Sequence, residues 1–64
     1  MFGNRMKDLR KERDITQEEM ANKLGVHITT INRIERGTMD PPMKIAIGIA
    51  NILGCTIDWL VNGK

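Results

Sequence analysis

Residues 16–37 read TQEEMANKLGVHITTINRIERG, two short amphipathic patterns hinged at a glycine. Thr16 offers a hydroxyl cap and Glu19, three residues on, completes a reciprocal capping box, so a helix starts there. Met20, Ala21 and Leu24 repeat at helical spacing, and Gly25 stops the helix because a left-handed terminal residue costs glycine least. After the turn GVH a second helix runs from about Ile28 to Arg36 with Ile31 and Ile34 inward, and Gly37 ends it. At about 100 degrees per residue the buried face centres between those two isoleucines. Thr29, Asn32, Arg33 and Arg36 therefore point outward, Thr29 and Arg33 most directly, with Ile28 and Thr30 flanking.

Upstream, Met6 and Leu9 fall three apart among charged residues, which predicts a first helix over 4–13 with Asn4 as its cap and Ile15 tucked under the next turn. Downstream, TMDPP is a loop, since the proline pair forbids a continuing helix and Pro42 suits the first turn of the next one. The fourth helix, Met43 to Leu53, is apolar at Ile45, Ile47, Ile49, Ala50, Ile52 and Leu53, nearly all round, and should be the most buried. Gly54 terminates it. Thr56 caps a last short helix with Asp58 in its first turn and Ile57, Trp59, Leu60 and Val61 as apolar surface. The expected fold is all-α, five compact helices forming a single domain over 1–64, with no strand alternation, repeat or interdomain linker.

With 41% apolar and 28% charged residues the balance is that of an ordinary globular chain, and no apolar run approaches the roughly 18 residues a membrane helix needs. The stretch MFGNRMKDLR lacks the continuous apolar segment and cleavage site of a signal peptide. A lone cysteine, Cys55, excludes an internal disulfide; its apolar setting reads as a small buried hydrophobe in a reducing compartment. The net charge of +2 permits an anionic partner without demanding one. It is concentrated in Met1 to Arg13, where Arg5, Lys7, Arg10, Lys11 and Arg13 oppose only Asp8 and Glu12.

Two helices pinned by a small Ala21 and a turn at Gly25 can cross steeply, leaving the second proud of the body. A protruding helix that fits a DNA major groove and carries short polar side chains and arginine has what base-edge reading requires. The stretch resembles the helix-turn-helix of the lambda-repressor-like family, the Cro and phage-repressor class of bacterial regulators. Gln17, Met20, Ala21, Leu24, Gly25, Val26, Ile31 and Ile34 fill that pattern, and RIERG is similar to the family's exit from the recognition helix. The resemblance extends from Asn4 to about Asn62.

It implies sequence-specific binding of a double-stranded DNA operator, palindromic and read by a homodimer at least on DNA, by a repressor-like transcriptional regulator. Ile28, Thr29, Asn32 and Arg33 would read bases. Arg33 suits a guanine edge or a phosphate, Asn32 an adenine or a phosphate, and Thr29 a thymine methyl. Gln17 would contact a phosphate or the start of the recognition helix, and Thr30, Arg36, Thr38 and Lys44 are further phosphate candidates. For Thr38 a plain C-terminal capping role is equally available. Arg10 and Glu35 stand where the family places an ion pair joining the first and third helices, and Ile57, Trp59 and Val61 where dimers are often joined.

Two positions depart from the pattern. His27 stands where a better N-cap such as Ser is usual, so the start of the recognition helix should be less well fixed. Ile28 takes a place usually given to Gln, Lys or Arg, and an aliphatic side chain there reads thymine methyls or packs inward. The competing reading is a helical protein-interaction module that has lost DNA affinity. An enzyme is disfavoured by one His, one Cys, no metal-ligand spacing and no Gly-rich phosphate loop. No cofactor, metal, membrane or small-molecule substrate is expected. The implied location is the cytoplasm, for a bacterial or phage-encoded protein, at the nucleoid when bound. Ending at WLVNGK, the chain resembles a whole Cro-like regulator or the front of a longer one.

Overall fold

Local chemistry places each helix boundary, and packing then adjusts it. The computed structural model describes residues 1–64 as five helices: α1 (Phe2–Glu12), α2 (Gln17–Leu24), α3 (Ile28–Arg36), α4 (Met43–Leu53) and α5 (Ile57–Asn62). At α2 the capping box is complete, with the Glu19 amide donating to Thr16 Oγ1 at 3.0 Å and the Thr16 amide to Glu19 Oε1 at 3.1 Å. Gly25 closes that helix at φ 69, a left-handed conformation that a Cβ would strain. Thr56 caps α5 by accepting from the Trp59 amide at 3.0 Å.

Three expectations are corrected. α1 begins two residues before Asn4, which is an exposed first-turn residue and not a cap; Met1 holds the cap position without a side-chain hydrogen bond. Half-buried Phe2 packs against the core, and that burial draws the helix back past the polar cap candidate. Pro42 stands at the cap of α4, just outside its first turn. α4 itself is not buried all round. Ala46, Ile49, Ala50 and Leu53 face the core, whereas Ile47 and Met43 are 47% and 67% exposed, because α4 has neighbours only in α1, α2 and α5.

Ten buried side chains from all five helices, among them Met6, Met20, Ile31, Ile34, Ile49, Leu53 and Leu60, form one cluster. Cys55 is half-buried at its edge, where burial pushes the thiol up from its ordinary pKa and the nearby Arg13 charge opposes that shift. Neither α4 nor α5 has a basic residue in its last turn. Arginines from the N-terminal segment supply the donors instead: Arg13 Nε to the Leu53 carbonyl at 2.7 Å, and Arg5 Nη1 to the carbonyls of Val61 at 3.0 Å and Leu60 at 3.3 Å. No helix is long and apolar enough to cross a membrane.

A close backbone approach occurs at Gly3, buried where α1 meets the last turn of α3. A Cβ there would overlap the Ile34 carbonyl oxygen and stand 2.6 Å from that of Glu35. Backbone cannot swing aside as a side chain can, so Gly3→Ala is expected to lower stability by about 1 to 3 kcal/mol despite the better helix propensity of alanine. A urea midpoint equal to or above that of the parent chain would show that α1 and α3 do not approach so closely.

Candidate nucleic-acid interface

α3 packs on α1 and α2 alone, so α4 and α5 leave its outer side uncovered. Its inner side is anchored by Ile31 and Ile34, at 0% and 2% exposure. On the outer side Thr29, Arg33 and Arg36 are exposed and Ile28 is 40% exposed, while Thr30 and Asn32 are half-buried at the margins. Arg36 Nη1 lies 3.4 Å from Asn32 Oδ1, a weak tether one turn back along the same face. Lys44 is exposed in the first turn of α4, and Thr38, just past α3, donates its hydroxyl to the Arg33 carbonyl at 3.2 Å. The Thr38 side chain therefore caps α3, and only its remaining acceptor capacity and nearby backbone face outward.

The start of α3 is better fixed than the His27 departure suggested. Nδ1 of His27 accepts the Thr29 amide at 3.1 Å and lies 2.9 Å from the Thr29 hydroxyl, so the imidazole performs the capping that a serine oxygen would. Histidine ranks low as a cap by type, which is why residue preference alone argued for a looser helix start.

Beneath the outer face, Arg10 and Glu35 meet through two hydrogen bonds, Nε to Oε2 at 2.7 Å and Nη2 to Oε1 at 3.1 Å. Arg10 Nη1 also donates to the Ile15 carbonyl at 2.7 Å, tying the α1 to α2 turn to the pair. Gln17 Nε2 donates to Glu35 Oε1 at 3.1 Å. Its side chain therefore reaches the last turn of α3 and not the first, which corrects the expected contact with the helix start. What Gln17 still presents outward is the amino end of α2, where unpaired N–H groups and the helix dipole favour an anion. No buried side-chain nitrogen or oxygen lacks a partner. The network locks α1, α2 and α3 into one unit, so the exposed side chains of α3 sit on a rigid base.

Residues 6–60 match the family model described as helix-turn-helix. The chain belongs to the helix-turn-helix family. Among its relatives, the uncharacterized HTH-type transcriptional regulator YqaE of Bacillus subtilis is 38% identical over 64 residues, covering 100% of this chain and 55% of the relative. The cryptic phage CTXphi transcriptional repressor RstR of Vibrio cholerae is 40% identical over 62 residues, covering 97% of this chain and 56% of the relative. The chain thus spans just over half the length of these two curated relatives.

Among solved structures, the P22 c2 repressor protein in complex with a synthetic operator superposes with a TM-score of 0.94 at 26% identity, covering 100% of this chain and 97% of that one. The N-terminal DNA-binding domain of SinR from Bacillus subtilis does so with 0.88 at 28% identity, covering 97% and 91%. This helix-turn-helix chain has the lambda-repressor-like fold and is a DNA-binding domain of the transcription-regulator class.

Proposed function

We propose that this helix-turn-helix domain binds a double-stranded DNA operator sequence-specifically and acts as a transcriptional repressor in the cytoplasm, as a dimer on a palindromic site with α3 in the major groove. The observation that carries this reading is the outer face of α3, polar, arginine-bearing and uncovered, on a helix anchored from behind by Ile31 and Ile34. Ile28, Thr29, Asn32 and Arg33 read base edges; Gln17 through the amino end of α2, with Thr30, Arg36, Thr38 and Lys44, contacts phosphates. Solved relatives bound to a synthetic operator or to DNA support that partner.

Dimer contact falls to Ile57, Trp59 and Val61. Val61 is 52% exposed, and with Ile57 it borders an apolar groove shared with Phe2 and Met43. Trp59 is half-buried against the core, so it offers one edge at most. The 40% exposure of Ile28, apolar and forward on α3, is the feature that favours the competing protein-interaction reading.

The test is selection of bound sequences from a random duplex pool, then titration of the winner at two salt concentrations. A palindromic consensus whose affinity falls steeply with salt supports operator binding, because phosphate contacts release counterions. No enrichment at low salt removes this reading. Arg33→Ala is expected to weaken binding to the selected site by roughly 1 to 3 kcal/mol while leaving the melting temperature in place. A parallel fall in melting temperature would make Arg33 structural instead.

A further inference from the structure

Base reading by α3 and dimer contact by α5 fall to helices that do not touch each other, and α1 is the only helix packed on both. The other route between them takes two steps, from α3 to α2 and then through α4 to α5. On the α3 side α1 is fixed by backbone and by charge. Gly3 lies against the carbonyls of Ile34 and Glu35, and Arg10 grips the Glu35 carboxylate through two hydrogen bonds. On the α5 side the polar anchor is Arg5. Its Nη1 donates to the carbonyls of Val61 at 3.0 Å and Leu60 at 3.3 Å, and a Cβ on Gly63 would stand 2.9 Å from its Nε and Nη2. α5 depends on such an anchor, because a helix of six residues with Leu60 as its one fully buried side chain and no basic residue in its last turn is marginal by itself.

We infer that Arg5 is a positioning residue for operator architecture: by holding the last turn of α5 to α1 it fixes the dimer contact at Ile57 and Val61 relative to α3, and so sets the half-site spacing the dimer accepts. This rests on the proposed reading of the chain as a dimer on a palindromic site. One base pair added between half-sites moves a recognition helix about 3.4 Å along the duplex and turns it by roughly 35°. A rigid path from α5 to α3 rejects that change, and a loosened one absorbs it. Arg13 supplies the comparison. It makes the same kind of contact, Nε to the Leu53 carbonyl at 2.7 Å, but onto α4, which carries neither the base-reading residues nor Ile57, Trp59 and Val61.

The experiment uses duplexes with two copies of the selected half-site at the selected spacing and at spacings one base pair shorter and longer, beside a duplex with a single half-site. Titrations are run at a temperature where circular dichroism shows each variant folded. For the parent chain the second half-site is expected to raise affinity roughly a hundredfold, and a change of one base pair to remove on the order of tenfold of that gain. Arg5→Ala should bind the single half-site within about twofold of the parent, lose about tenfold at the selected spacing, and bind the three spacings within about threefold of one another. Arg5→Lys keeps the charge and loses the planar fork, so it should show the same change in smaller measure. Arg13→Ala should lower the melting temperature and keep the parent spacing profile.

A spacing profile in Arg5→Ala as steep as that of the parent would overturn the inference, because α5 would then be held without Arg5. Equal losses on single and paired half-sites would overturn it too, making Arg5 a support of α3 or of the whole fold. So would a profile in Arg13→Ala flattened as far as in Arg5→Ala, which would trace the effect to stability alone. If Arg5→Ala is unfolded at every temperature, Arg5→Lys decides by the same comparison. A parent chain that gains nothing from a second half-site is a different result, which removes the dimer reading itself.

Discussion

Arg10→Ala is expected to destabilise the fold by about 3 to 5 kcal/mol, the usual cost of leaving one partner of a buried ion pair alone. The Glu35 side chain is 2% exposed, and without Arg10 it would keep only the Gln17 amide at 3.1 Å. The Ile15 carbonyl would lose its 2.7 Å donor in the same step. A chain of 64 residues buries a modest fraction of its surface and stands at the low end of the 5 to 15 kcal/mol typical of domains, so the variant should be largely unfolded at 37 °C. Urea unfolding followed by circular dichroism measures this directly. A midpoint equal to that of the parent would mean the pair contributes nothing to stability. Replacing both residues by methionine should recover much of the loss, because the charge requiring compensation goes with its partner.

The helix-turn-helix itself was legible because its boundaries are written in local chemistry. Thr16, Glu19, Gly25 and Gly37 act within a turn of where they stand, and the inward set Met20, Ala21, Ile31 and Ile34 follows the helical period. The exposure of Thr29 and Arg33 follows from the same wheel. Features that depend on a distant partner were not legible. Gly3 is small because α3 lies against it, and nothing between Met1 and Arg13 announces that, since the first helix was expected only from residue 4.

Ile47 belongs to an apolar run whose far side has no helix to meet, so composition overstated the burial of α4. The Gln17 to Glu35 bond spans 18 positions, and the His27 cap uses a residue that preference tables rank low. Arg5 and Arg13 counted only toward the basic balance of the first segment, yet they terminate helices 40 positions and more away. Apart from the His27 cap, which reaches only two positions, the boundary between what sequence disclosed and what it withheld is the boundary between local and long-range interaction.

Ile31→Ala is expected to cost about 2 to 5 kcal/mol of stability, for a fully buried side chain deleted where three helices meet leaves a cavity as well as a lost transfer term. Its functional consequence separates the two faces of α3. Apparent operator affinity should fall only by the fraction of chain left unfolded, since Ile31 faces the core and cannot reach a base. Arg33→Ala should do the reverse, leaving the melting curve in place and lowering the affinity of chain that is fully folded. Titrating both variants at a low temperature where each is folded makes the distinction sharp: Ile31→Ala should then approach parent affinity, and Arg33→Ala should not. If Ile31→Ala stays weak when fully folded, the cavity has let α3 shift on α1 and α2. The rigidity attributed to the Arg10, Gln17 and Glu35 network would then be too small to hold the outer face without the isoleucine beneath it.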